Sequence, residues 1–216
     1  MLKKIFNIKY LLSLFLIVLF SSNYSFASNY LKVSYGLTST SVGVSTTKGT
    51  IVTDEEDEGF IVSAGSLIGE IWGVDFMYYD LGSTSIKVDA TESFTFEGNN
   101  YIASSAGTIS NDISGYGGGL FISSSNDGEF LSVSGTLRLG LHSWDKSGST
   151  SILDNSTGFS GAFYNDGIGA YAGLGISINL TSNLTADLSI DTIGLNNIAQ
   201  FNDSSTIGSL GLKYNF

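Results

Sequence analysis

The segment "LHSWD" sets His142, Ser143 and Asp145 within four residues of one another, the side-chain types of base, nucleophile and orienting acid in hydrolytic catalysis. His142 is the only histidine. Neighbouring residues of an extended chain point to opposite faces, so His142 and Ser143 are expected to stand apart rather than within the hydrogen-bond reach that catalysis needs. A second candidate is "TDEEDEG", Thr53 to Gly59, where Asp54, Glu55, Glu56, Asp57 and Glu58 offer oxygen ligands to a divalent cation. Blocks of like charge are commonly solvated loops, and the central glycine and ligand spacing of a calcium loop are missing. Bridging by a cation to anionic surface lipid is the sharper alternative. The glycine-rich "SGYGGGLF", Ser114 to Phe121, resembles a phosphate cradle only superficially, because no Lys-Ser/Thr pair and no helix follow it. Glycine there suits curvature or the close packing of an inward side chain. No cofactor is expected.

The remaining chemistry is dispersed. Lys32, Asp75, Arg138, His142, Asp187, Asp191 and Lys213 lie singly among apolar and small residues, and their meaning depends on the elements that carry them. Those elements are strands. Leu31, Val33, Tyr35 and Leu37 alternate with Lys32, Ser34, Gly36 and Thr38, and Trp72, Val74, Phe76 and Tyr78 with Gly73, Asp75, Met77 and Tyr79. Period two recurs from Leu131 to Leu141, through Ala170 to Ile178, Leu184 to Ile190 and Leu210 to Phe216, with weaker strands at Phe60 to Gly65 and Gly115 to Ser123. The count is eight.

The intervals between strands alternate: long (39 to 59), short (66 to 71), long (82 to 112), short (124 to 130), long (142 to 167), short (181 to 183), long (194 to 205). Tight turns on one side and loops on the other are the pattern of an up-and-down transmembrane barrel, which a Greek-key sandwich has no reason to show. The expected fold is all-β, an eight-stranded antiparallel barrel with four long outer loops. In such a barrel the apolar face meets lipid and the polar face points inward. Besides His142, the inward set holds three cations and three carboxylates, balanced as an interior that tolerates no unpaired ion requires. Eight strands leave a lumen that side chains just fill, so a plugged barrel is expected.

Composition is consistent with export. Residues 1–27 combine Lys3, Lys4 and Lys9, an apolar run from Tyr10 to Phe20, and Ser25-Phe26-Ala27 before a cut, the three parts of a cleaved signal peptide. Residues 28–216 would then form the barrel. Losing three of 9 basic residues and none of 20 acidic ones leaves a formal charge of −14. That excludes nucleic acid as a partner. With no cysteine, neither a disulfide framework nor a thiolate metal site is possible. Export together with a barrel implies the outer membrane of a Gram-negative envelope, since only helices and closed barrels span lipid.

Several segments resemble the OmpA-like eight-stranded outer-membrane barrels. "LRLGLHSWD", Leu137 to Asp145, is similar to the family's fifth strand entering its third loop. "DGIGAYAGLGISINLTSNLTADLSID", Asp166 to Asp191, resembles the strand-turn-strand unit that follows, and "IGSLGLKYNF" the last strand. The first half matches mainly in "IWGVDFMYYDLG", Ile71 to Gly82. The resemblance implies that Leu212, Tyr214 and Phe216 form the signal read by barrel-assembly machinery and that both termini are periplasmic; some members of the family continue into a peptidoglycan-binding domain, and here, in a departure from them, none is expected. Lys213 is expected to find partners in Asp187 and Asp191. Lipid and lipopolysaccharide are the expected partners, and the chain is expected to be a monomer without enzymatic activity. A structural or surface-interaction role leads; a small ion or solute channel and an adhesin acting through the outer loops are the alternatives. Within the long second loop, "ESFTFEG" carries its own alternation and is expected to extend the hairpin beyond the membrane.

Overall fold

A computed structural model describes residues 29–40, 44–48, 52–54, 56–96, 99–124, 130–151, 161–195 and 203–216. The signal-peptide reading of residues 1–27 and Glu55 of the acidic loop lie outside them. The strands are β1 (Asn29–Thr40), β2 (Val44–Lys48), β3 (Val52–Asp54), β4 (Glu56–Leu67), β5 (Trp72–Val88), β6 (Ser93–Phe96), β7 (Asn99–Ile102), β8 (Gly107–Ser123), β9 (Val133–Thr150), β10 (Gly161–Asn179), β11 (Leu184–Gly194) and β12 (Ser204–Asn215). Eight of them close a barrel in the order β1-β4-β5-β8-β9-β10-β11-β12, with β12 returning to β1. Every pairing is antiparallel, and the closing register runs from Tyr30↔Asn215 to Thr40↔Ser205. The eight strands and the alternation of short and long connections agree with the sequence reading.

Polarity is arranged as period two demands for a wall between lipid and a polar interior. Leu31, Val33, Tyr35 and Leu37 on β1, Leu137, Leu139 and Leu141 on β9, Leu174 and Ile176 on β10, Leu210, Leu212 and Tyr214 on β12, and Phe216 just after it, are all 41–67% exposed. The alternate positions of the same strands are buried inside. Apolar exposure on this scale encircles the barrel, far beyond the isolated patches of a soluble surface.

Toward the long loops the polarity reverses. Ser143 and Asp145 turn outward while Trp144 turns in, and an inward cluster forms from Ile61, Met77, Tyr79, Leu81, Ile113, Trp144, Tyr171, Ile193, Leu195 and Ile207. Above the belt the ordinary pattern returns, with apolar residues inside and polar ones outside.

Three sequence expectations need correction. Residues 82–112 and 142–167 are not simply loops: β5, β8, β9 and β10 run for 17, 17, 18 and 19 residues, whereas β1 and β12 have 12 each. Alternation continues in these extensions, with Ile86, Val88, Ile109 and Ile113 buried, so one side of the barrel stands taller. The "ESFTFEG" piece does not lengthen a barrel hairpin. Its strand β6 joins β2 of the first loop and β7 in a separate three-stranded sheet. Phe94 there stacks on Tyr101 at 5.5 Å and packs with Ile86, Val88, Ala103 and Ile109. Finally, β9 begins at Val133, because Leu131 sits in a turn with φ +62° and donates its N–H to the Asn179 carbonyl.

β5 keeps its inward face across the extension by means of a bulge. The register with β8 shifts between Asp80 and Ser83, Gly82 adopts φ +73°, and inward parity passes from Tyr79 and Leu81 to Thr84, Ile86 and Val88. Left-handed backbone of this kind suits glycine. The Asp57 carboxylate secures the bulge, accepting from Ser83 N at 2.5 Å and Ser83 Oγ at 3.2 Å, while Asp80 Oδ1 accepts from Gly82 N at 3.0 Å. Asp57 lies beyond the apolar belt, and the N–H groups of Ser83 and Glu58 hold its carboxyl below the usual carboxylate range. A carboxyl depressed on folding stabilises the folded state above its unfolded pKa of about 3.9 and loses that effect as pH falls through the lower folded value. The Ser83 amide resonance should therefore keep its hydrogen-bonded shift down to about pH 4 and lose it below, and Asp57→Asn should remove that titration.

Candidate functional site

Among the described residues, the interior gathers ionisable side chains from several strands. Lys32 from β1, Asp75 from β5, Arg138 and His142 from β9, and Asp187 and Asp191 from β11 are each at most 5% exposed, and all point inward. Lys32 Nζ lies 2.8 Å from Asp187 Oδ1, and Ser177 Oγ donates to Asp187 Oδ2 at 2.7 Å. Arg138 Nη2 donates to both oxygens of Asp191, at 2.5 and 2.6 Å, and Nη1 stands 4.0 Å from Asp75 Oδ2. Tyr171 OH donates to Asp75 Oδ1 at 2.9 Å. The network thus runs around the lumen through β1, β11, β9, β5 and β10. Charge-assisted bonds of this kind are strong in a low-dielectric interior, and their partners are costly to strand.

Six of the seven residues picked from the sequence share this buried layer. The seventh departs from expectation: Asp187 is taken by Lys32 and Asp191 by Arg138, whereas Lys213 Nζ lies 5.8 Å from the centroid of the Tyr30 ring. The register explains this. Lys213 faces Thr185 on β11, two residues from Asp187, while Lys32 reaches across from the other side of the seam.

Above the ions, Tyr79 OH and His142 Nδ1 share a hydrogen bond of 2.6 Å, and the His142 ring stands edge-on to Tyr79 and Tyr171. The glycine run on β8 makes room for them. A side chain at Gly115 would collide with the Tyr79 hydroxyl, one at Gly117 with His142 Cβ, and one at Gly119 with the Tyr171 hydroxyl. This bears out the reading of "SGYGGGLF" as close packing of inward side chains. Tyr79, Tyr171 and Ser177 were on the inward face by alternation, yet their types alone did not mark them as members of the network.

Other candidates fall elsewhere. Ser143 and Asp145 lie on the face opposite His142, and Asp145 accepts a bond from Tyr164 OH on β10. That contact raises the Tyr164 phenol to about 12. In the acidic loop, Asp57 secures the bulge and Glu58 accepts from Tyr35 OH, while Asp54 pairs along the backbone with Ser85 and Glu56 with Ser39. Leu212 and Tyr214 on β12 and Phe216 just after it are exposed, with the Tyr214 and Phe216 rings 6.1 Å apart.

Replacing Arg138 by Met would leave Asp75 and Asp191 buried without their cation. Denaturant unfolding in micelles, followed by the fluorescence of Trp72 and Trp144, should show a loss of about 3–5 kcal/mol. Adding Asp191→Leu should return part of it, because that change removes one of the two uncompensated charges and leaves Asp75.

No protein-family model matches the sequence, and no curated protein matches it. Solved structures do share its fold. Neisserial surface protein A is 18% identical with a TM-score of 0.52, the match covering 88% of this chain and 99% of that one. Ail, the attachment invasion locus protein of Yersinia pestis, is 16% identical with a TM-score of 0.50 over the same shares. Ail in complex with the heparin analogue sucrose octasulfate matches equally well, at 14% identity. At these identities the likeness establishes the architecture, an eight-stranded barrel of the outer-membrane type.

Proposed function

We propose that this protein is an integral outer-membrane barrel that holds a folded structure above the outer leaflet and acts there by contact, without transport and without catalysis. The observation that carries this reading is the pairing of an encircling apolar belt with an interior closed twice, by the ion-paired layer and by the apolar cluster above it. An open pore would need a continuous polar path, and the inward Tyr79, Leu81, Trp144 and Ile207 occupy that path. The outer end has the features of a contact surface: a tall half-wall of four strands and a three-stranded sheet that Phe94 joins to a small apolar core on β5 and β8. Barrels of this fold include one named for attachment and invasion and one named as a surface protein. Lipid and lipopolysaccharide touch the belt, whose upper margin carries the outward acids Glu58, Asp145 and Asp166.

Because the chain has no cysteine, single cysteines can report orientation and conductance can report closure. In intact cells a membrane-impermeant maleimide should label Thr91→Cys in the second long connection, and should reach Thr181→Cys in a short turn only after permeabilisation. Purified protein in planar bilayers should show no persistent openings. Labelling in the opposite sense would contradict the orientation, and steady conductance would make the protein a channel.

A further inference from the structure

The plug does not reach the short-turn end of the barrel. There Tyr30, Lys32, Arg138, Asp187, Lys213 and Asn215 line a cavity of about 60 Å³, room for a few waters or one small tetrahedral ion. Its lining is basic, three cations against the single carboxylate of Asp187. Both oxygens of that carboxylate are already bonded, one to Lys32 and the other to Ser177. Asp75 and Asp191 do not line the cavity.

Two of the cations have unspent capacity. Arg138 directs Nη2 to Asp191, while Nη1, 4.0 Å from Asp75 Oδ2, makes an ion pair but no hydrogen bond among the described residues, although the side chain is almost wholly buried. No carboxylate among the described residues comes within ion-pair distance of Lys213, whose ammonium is met by the Tyr30 ring. Lys213 also stands directly opposite Lys32 across the β1/β12 seam. Like charges at such positions repel, and burial strengthens the repulsion. An anion seated between them would turn that cost into attraction and offer Nη1 an acceptor.

We infer that this cavity binds a small oxyanion of the phosphate or sulfate class, with Lys213 as the leading cation and Arg138 as the oriented donor. Lysine acts on such a group as a point charge and arginine as a directional fork. The same chemistry comes from two sources, free phosphate or the phosphate of a lipid headgroup at this end of the barrel.

The test uses protein folded in maltoside micelles, which carry no phosphate. Inorganic phosphate is titrated while the amide resonances of Lys213 and Arg138 are followed, with Thr91 in the outer connection as reference. Saturable shifts at millimolar phosphate are expected at the two cavity residues and not at Thr91. Lys213→Gln should weaken binding at least five-fold, Lys213→Arg should retain it, and both should migrate as folded protein in unheated gels. Short-chain phosphatidic acid binding more tightly than inorganic phosphate would identify a lipid source, and the reverse order a free ion. The inference is overturned if neither probe gives saturable shifts in the native protein, or if folded Lys213→Gln binds phosphate as the native protein does.

Discussion

Across the β1/β12 seam eleven residue pairs, Tyr30↔Asn215 to Thr40↔Ser205, join the first described strand to the last. In lipid an open sheet edge would leave backbone donors and acceptors with neither water nor protein to bond, at several kcal/mol for each group. Closure is therefore a requirement rather than a refinement. It fixes an even number of antiparallel strands, it sends alternate side chains to lipid and lumen, and it makes the interior small. The short turns follow too, since antiparallel neighbours need no longer connection at the short-turn end.

A small interior then decides the chemistry. Charges drawn inside an eight-stranded wall have little water to meet them, so each needs an opposite partner within bonding distance. Lys32 with Asp187, and Arg138 with Asp191 and Asp75, satisfy that need by reaching between strands that are distant in sequence. Those pairs act as cross-braces between parts of the wall that share no backbone ladder. The bulky Tyr79, His142 and Tyr171 fit beside them because Gly115, Gly117 and Gly119 leave β8 without inward side chains at their level. Glycine spacing on one strand and aromatic placement on three others are thus one packing solution.

Much of this was legible in the sequence, for a physical reason. Period-two alternation records on which side each residue meets lipid, so Leu137, Leu139 and Leu141 announced the belt and Lys32, Arg138 and Asp187 the interior. What alternation does not record is how far a strand continues once its outer side meets water in place of lipid. Ile86, Val88 and Ile109 kept the period into a segment read as loop, but the reversed polarity around them removed the belt signature. Gly82 hid the continuity of β5 further, because a bulge resets parity. The choice between Lys32 and Lys213 as the partner of Asp187 was likewise out of reach, since strand neighbourhood is sequence-readable while side-chain reach across a closed seam is not. Nor does spacing announce the joining of the first and second loops through β2 and β6, which depends on contacts between separate connections.

Everything here rests on the wall separating lipid outside from a charged interior, and that separation can be measured residue by residue. Spin labels placed singly at Leu137, Leu139 and Leu141, and at the inward Thr136 between Leu137 and Gly135, can be compared in bilayers for collisions with oxygen and with a water-soluble nickel complex. High oxygen and low nickel accessibility at the three leucines, with low oxygen accessibility at Thr136, is the predicted result. Leucines that collide freely with nickel, or a Thr136 label as rich in oxygen as its neighbours, would contradict the account.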